Sequence, residues 1–402
     1  MALTLFSDES IVTTIYPRHR PCPVCDSDNA THLYTNTMTP IGGLDMSYQV
    51  VNCADCGFIY ASELPESASY EAYYRELSKY DVMTSTAKIR PVDQVRMAAA
   101  VNLCVPHLTA DALIIDIGCG HGALLNAFHT AGWACLYGID PAPEASAKAN
   151  ALFGLQNVQT GIVRQAPQLL PLDQAALICL TGVLEHLPDL RTDLAALIKD
   201  LNHRAMIMVE VPASERFTRT PLEPYGEFSL EHIQYFSTQS LDRLMAELGY
   251  VRKAGEIVAL SEGVTDSLFG LFVRQEPATA DMPYNPVGLQ DYLTLSGQLM
   301  GQVIDTIIQC NARQLVIYGA GSHSARLLPK MAAACIAERI VGIVDGNPNL
   351  LGKMIGRHQV CSSADLGQWP DATIVVSSFG AQDAIAEFIG RQFPNPILRL
   401  YP

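Results

Sequence analysis

The 402-residue sequence lacks any apolar run of the ~18–20 residues that a membrane-spanning helix requires, so no membrane partner is expected. It is also short of positive charge: 26 Lys and Arg stand against 41 Asp and Glu, a formal charge of −15. Binding to DNA or RNA calls for a clustered basic face, and nucleic acid is disfavoured as a partner. The opening stretch "MALTLFSDES" has acids where a secretion signal carries lysines, and no extended apolar segment follows. The expected location is the cytoplasm. There is no low-complexity tract and no short-period repeat, which excludes solenoids and linker-like chains. Hydrophobic residues make up 49% of the chain, ample for globular cores, and its length calls for two or three of them.

Cysteine is not scarce. Eleven are present, and in a reducing compartment they stay thiols, so clusters point to metal rather than disulfides. "CPVC" pairs Cys22 with Cys25, and "CADCG" pairs Cys53 with Cys56. Each pair can sit on a tight turn that aims two sulfurs at one point. Two such turns give tetrahedral S₄ coordination, which suits Zn²⁺ and leaves no open position for catalysis. A structural zinc in a segment spanning residues 1–80 is expected, with the metal adding folding energy to a small core.

Residues 81–275 alternate strands and helices. "ALIIDIG" reads as a buried parallel strand and "ALLNAFHTAGW" as a helix. "CLYGID" is a second strand ending at Asp140, and "ALICLTGV" and "AMIMVEVP" are two more. "STQSLDRLMAELGY" reads as a helix capped by Ser237 and closed by Gly249, and an antiparallel pair ends the segment. This is a doubly wound α/β pattern. Its first strand-to-helix turn runs Asp116-Ile-Gly118-Cys-Gly120-His-Gly122. Glycine there permits positive φ and lets main chain approach a ligand. A dinucleotide fold would place the last glycine one residue later. Asp140 stands where a carboxylate can accept both hydroxyls of a ribose. A tight turn without any nucleotide, or an NAD enzyme, are the competing readings.

Two Glu-His pairs stand beyond strand ends: Glu185-His186 after the fourth strand, and Glu231-His232 in "GEFSLEHIQYFS" after a long insertion. A histidine beside a carboxylate is a natural general base. His186 can equally shape the pocket wall, and His232 can cap a helix or satisfy a buried carbonyl. Tyr235 borders the second pair and is a candidate substrate contact. Among Tyr70, Tyr73, Tyr74 and Tyr80, Tyr80 is the candidate to reach substrate.

"EPATADMPYNP" reads as a linker. A long amphipathic helix follows from about Val287, and "LVIYGAGSHSARLL" then repeats the strand, glycine turn and helix. Further strands end at Asp345 and at Ser377. This 287–402 unit reads as half a Rossmann fold. Gly319, Gly321, Ser322, His323 and Asp345 line its crevice, which can take a phosphate at the helix N-terminus, or stay empty, or serve dimerisation.

The residues Asp116, Gly118, Gly120, Gly122 and Asp140, with "TGVLEHLPD" beginning at Thr181, resemble the class I S-adenosylmethionine-dependent methyltransferases. The resemblance implies a Rossmann-like seven-stranded core and S-adenosyl-L-methionine as cofactor. It implies that those five residues and Thr181 contact that cofactor. Taken over the whole chain, the order of cysteine pairs, methyltransferase core and small Rossmann-like unit is similar to the three-domain sugar-nucleotide C-methyltransferases. That resemblance implies a small-molecule substrate, a nucleotide-linked keto-deoxy sugar, with His232 as base and Glu231 beside it. It also implies that His186 and Tyr80 contact the sugar, while the third unit holds the diphosphate and base. The family pattern has a tyrosine two positions before Glu-His; this sequence has Ser229, and Tyr225 or Tyr235 are candidates to replace it. O- or N-methylation of a nucleotide sugar, polysaccharide or other metabolite is the competing activity. A non-catalytic or nucleic-acid-directed module is the third reading.

Overall fold

A computed structural model describes residues 18–42, 45, 47–64, 89–219, 221–229, 231–261, 263–275 and 287–402. Tyr70, Tyr73, Tyr74, Tyr80 and the expected linker at 276–286 lie outside the described residues.

The central sheet has seven strands. They lie in the order Tyr250–Val258, Ser267–Arg274, Met206–Pro212, Leu177–Thr181, Ile114–Ile117, Leu136–Asp140 and Val158–Thr160. Neighbours from Met206–Pro212 to Val158–Thr160 pair in parallel, and Ser267–Arg274 runs antiparallel to both its neighbours. The antiparallel pair read from the sequence is therefore no appendage. Its second strand inserts between the fifth strand and its own hairpin partner, an order that periodicity does not encode. Alternate residues divide between two cores, as the period of two in a strand demands. Ile115, Ile117, Ile178, Leu180, Ile207 and Val209 face one side. Ile114, Leu177, Cys179, Met206 and Met208 face the other. Helix Thr238–Glu247 starts as expected: Ser237 Oγ accepts from Ser240 N at 3.1 Å, and Ser237 N donates to Ser240 Oγ at 2.9 Å.

The cysteine-bearing segment forms a small antiparallel sheet of Ala30–Asn36, Tyr48–Cys53 and Ile59–Ala61. Its fourth strand comes from far along the chain: Gln234–Tyr235 pairs with Tyr60 and Ile59. The insertion carrying Glu231 and His232 is thus woven into the first segment.

The C-terminal sheet has six strands, larger than the three read from sequence. Leu315–Tyr318, Ile340–Asp345 and Thr373–Val376 form its middle. His358–Ser362 and Ile397–Arg399 extend it in parallel on either side, and Met354–Ile355 adds an antiparallel edge. The added edge strands are two to five residues long, too short to show alternation.

Hydrophobic cores cross the expected boundaries. One contains Cys22, Val24, Phe58 and Tyr60 together with strand residues of the central sheet. Another joins Met38, Tyr48 and Ile59 to Phe228 and Tyr235 of the insertion, to Tyr292 and Met300 of the helix Val287–Gln309, and to Ile317 and Ile343 of the C-terminal sheet. Among the described residues, no helix is long and apolar enough to cross a membrane.

Candidate active site

The glycine turn follows the strand Ile114–Ile117 and opens into a cleft of about 1080 Å³. Gly118 has φ +74°, and a Cβ there would lie 2.6 Å from Val183 Cγ2. Gly120, at φ +52°, has nothing within 4 Å of where a Cβ would stand, so its main chain faces open space. Any side chain at these two positions would need the left-handed conformation, and at Gly118 it would also collide with its neighbour. Asp140 fixes the turn from the next strand: its Oδ2 accepts from Gly120 N and its Oδ1 from Ala142 N, both at 2.8 Å. A carboxylate oxygen has two lone pairs. Asp140 therefore spends one on each of these main-chain donors.

Asp116 is buried, and its Oδ1 has no hydrogen-bond partner among the described residues. Burial, reinforced by the nearby Asp140, pushes its carboxyl well above the usual carboxylate range. An unpaired buried acid at a cleft wall is costly unless a bound molecule supplies the donor. Thr181 Oγ1 at the end of the fourth strand is likewise unpartnered among the described residues and lines the same cleft. These features fit a ligand with an ammonium group near Asp116 and vicinal hydroxyls near Asp140. S-adenosylmethionine has both.

The opposite part of the cleft is built by two loops zipped together. Ile233 N donates to Glu185 O at 2.9 Å, His186 Nδ1 lies 3.0 Å from Glu231 O, and Gln234 Nε2 donates to Leu187 O at 2.9 Å. A carbonyl only accepts, so His186 carries its proton on Nδ1 and turns Nε2 toward the cleft. The rings of His186 and His232 meet edge to face with centroids 4.9 Å apart. Both line the cleft that also holds Asp116 and Asp140. Glu231 offers its main-chain carbonyl to His186. A carboxylate also stands beside this imidazole: Glu185 Oε1 lies 3.7 Å from His186 Nε2. Burial holds the Glu185 carboxyl up to about 7.

Ser229 orders this turn. Its Oγ accepts from Glu231 N at 3.2 Å and from His232 N at 3.0 Å. The hydroxyl of Tyr48 donates to Ser229 O at 3.0 Å and lies 2.9 Å from the hydroxyl of Tyr235, which itself reaches His232 O. Tyr235 is buried and does not line the cleft. Tyr235, the candidate substrate contact, supports the loop from beneath, on a strand paired with Ile59. Tyr225 is likewise buried, stacked on Tyr34 with centroids 4.5 Å apart.

Sequence reading missed Arg20, which ties the cysteine segment to both loops. Nε donates to Ala61 O at 2.8 Å, Nη1 to Pro188 O at 2.9 Å and Nη2 to Ile233 O at 3.1 Å. It also missed Arg96 and Glu210 on the cleft floor. Glu210 is buried and held by Arg96 Nε, Arg96 Nη2 and the Ser267 hydroxyl. A lone acid inside "AMIMVEVP" was the available signal; nothing marked Arg96 or Arg20. Glu227, another cleft acid, bonds the Thr265 hydroxyl and is pushed up to about 7 by burial.

The four cysteines converge. Cys22 and Cys56 sulfurs lie 3.5 Å apart, as do those of Cys25 and Cys53, and all four are within 4.8 Å of one another. Tetrahedral zinc–thiolate sites have sulfurs about 3.8 Å apart, from Zn–S bonds of about 2.3 Å. The donor set fits a closed metal site. In the C-terminal crevice, Asp345 repeats the wiring of Asp140: Oδ2 accepts from Ala320 N at 2.6 Å and Oδ1 from Asn347 N at 2.7 Å. Gly319, at φ +110°, approaches Ser377 O, leaving no room for a side chain. His323 is buried between the Ser377 and Tyr401 hydroxyls, and burial lowers its imidazole to about 4.

Residues 90–252 match the family model described as a methyltransferase domain. The chain carries an S-adenosylmethionine-dependent methyltransferase domain. It is similar in structure to a 1,6-didemethyltoxoflavin-N1-methyltransferase of Burkholderia thailandensis with bound 1,6-didemethyltoxoflavin and S-adenosylhomocysteine. The identity is 18%, covering 56% of this chain and 98% of that one, with a TM-score of 0.42. It is also similar to the magnesium protoporphyrin IX methyltransferase of Synechocystis, at 14% identity over 52% of this chain and 100% of that one, with a TM-score of 0.40. No curated protein matches the chain. The family match covers the turn, Asp140 and both Glu-His pairs of the methyltransferase domain, and leaves the cysteine segment and the C-terminal sheet outside it.

Proposed function

We propose that this methyltransferase C-methylates a nucleotide-linked keto-deoxy sugar. The observation that carries the reading is the His186–His232 ring pair, set in one cleft with the Asp116–Asp140 turn. Ligand pockets of ~300–1,000 Å³ hold one drug-sized molecule, and a cleft at the top of that range has room for a cofactor and a second reactant. Bound S-adenosylmethionine supplies a methyl group made electrophilic by its sulfonium. Asp116 and Asp140 orient it, Gly120 gives it main chain to lie against, and Thr181 adds a hydroxyl. His232 removes the proton on the carbon beside the ketone. The electron pair passes into the enolate, and a cleft donor such as the Glu227 carboxyl or Arg96 offsets its charge. Holding the reacting carbon and methyl group at ~3–3.5 Å supplies much of the remaining rate. Zn²⁺ on Cys22, Cys25, Cys53 and Cys56 is assigned a structural role. Gly319, Gly321, Ser322 and Asp345 are assigned to the nucleotide, supported by the resemblance of Asp345's wiring to Asp140's.

O- or N-methylation of a metabolite is the second reading, and Ser229 favours it: its hydroxyl holds a turn where the family has a tyrosine. The two readings separate in D₂O without methyl donor. A C-methylating enzyme exchanges the proton beside the ketone of a keto-sugar nucleotide, and His232→Ala stops that exchange. With donor, mass detection finds one added methylene. No exchange and no methylation on any keto sugar would overturn the proposal.

A further inference from the structure

Glu185 has no part in the chemistry set out above, yet few groups are better placed to act on it. It is 2% exposed at the exit of the fourth strand, within the cleft lining. Its Oε2 has no partner among the described residues. A carboxylate oxygen of Glu185 and a ring nitrogen of each of His186 and His232 all lie within 4.8 Å of one another. The His186 end of this triangle is fixed, because Nδ1–H is committed to Glu231 O and only Nε2 can meet the carboxyl.

We propose that Glu185 is a positioning residue for the base: its carboxylate is the counter-charge against which an imidazolium forms at His232. This inference rests on the reading of His232 as base. When His232 takes the substrate proton, a positive ring appears 4.9 Å from a second, half-buried imidazole. Without a negative neighbour that event is opposed by desolvation and by any charge on His186. Glu185, 47 residues upstream of His232, reaches this position because Ile233 N donates to Glu185 O and closes the loops.

The charged groups around the triangle all bear on it. From the helix Pro91–Cys104, Arg96 draws Glu185 toward ionisation, and Glu210 on the fifth strand opposes it. His186 stabilises the ionised form from its own loop, and Glu227 and Glu231 lie on the loop that carries His232. Arg96 is engaged by Glu210, and Glu185 is an acid grouped within 4.8 Å of both rings.

The test needs no substrate. Ring resonances of His232 are followed by NMR against pH in the wild type, Glu185→Gln and Glu185→Asp, with S-adenosylhomocysteine binding as the control for folding. Removing an opposite charge at this range lowers the proton affinity of the ring about tenfold or more. The His232 midpoint should fall accordingly in Glu185→Gln and return toward wild type in Glu185→Asp. In the wild type alone, labelled Glu185 carboxyl carbon should respond at the His232 step, which keeps the test usable if a variant fails to fold. An unchanged His232 midpoint in folded Glu185→Gln, or a Glu185 signal blind to the His232 step, overturns the inference. Absence of methylation on keto sugars would sink the substrate reading and leave this titration standing.

Discussion

At the scale of the residue, His232 and Glu185 make opposite demands on stability and function. A general base contributes ~10²–10⁴-fold, so His232→Ala should lower turnover by about that range while S-adenosylhomocysteine still binds. Unchanged turnover would remove His232 from the reaction. Glu185 should show the reverse side of the exchange. Its carboxyl is raised from an ordinary 4.5 to about 7, so the fold favours the neutral form. Below about pH 4.5 both folded and unfolded chains hold the proton and the site costs nothing. As pH rises toward 7 the unfolded chain releases it first, and stability is lost across that window. Glu185→Gln should therefore be more stable than wild type above pH 7, by up to roughly 3 kcal/mol, with the gain vanishing in acid. Denaturant titrations at several pH values check this. Parity at all pH would mean the carboxyl is not strained in the fold. The glycines, Asp140 and the four cysteines were legible because each is a residue type its conformation or chemistry demands at a fixed spacing. Arg20, Arg96 and Tyr48 were not, since their partners lie far away along the chain and leave no local pattern.

At the scale of the element, the two histidine loops depend on a strand borrowed from elsewhere. Gln234–Tyr235 pairs with Ile59 and Tyr60, and Arg20 spans Ala61, Pro188 and Ile233. Hydrogen bonds from a charged donor contribute ~1.5–3 kcal/mol each, though partners rarely add in full. Arg20→Ala should cost about 2–4 kcal/mol of stability and lower kcat, with little change in S-adenosylhomocysteine affinity, because Asp116 and Asp140 stand on other elements. Arg20→Lys should not restore kcat, as one ammonium cannot reproduce a planar fork. Equal loss of cofactor affinity and kcat would show general damage instead. If the proposed zinc fills the four-cysteine site, its removal by a chelator should act along the same route, lowering the melting temperature and loosening the loops before the glycine turn. The core strands and helices were readable from periodicity and caps. The position of Ser267–Arg274 inside the sheet was not, because strand order is decided by packing, and the short C-terminal edge strands carry too few residues to show a pattern.

At the scale of the molecule, the three stretches read from the sequence share their cores. Tyr48 from the first, Phe228 from the insertion, Tyr292 from the long helix and Ile317 from the last sheet lie in one buried cluster. Cutting the chain after Gln275 would bare that cluster, so the truncated chain should aggregate and the full chain should unfold in one cooperative transition. Two well-separated calorimetric peaks would contradict this. Composition could suggest several cores but not that they merge, since that depends on which apolar faces meet.

Methyl transfer here depends first on the adenosyl half of the cleft. Calorimetry with S-adenosylhomocysteine on wild type and Asp140→Ala tests it most directly. We expect measurable binding by the wild type and a loss of about tenfold to a hundredfold in the variant, as charge-assisted bonds to the ligand go. No heat from the wild type, or equal affinity in both proteins, would contradict it.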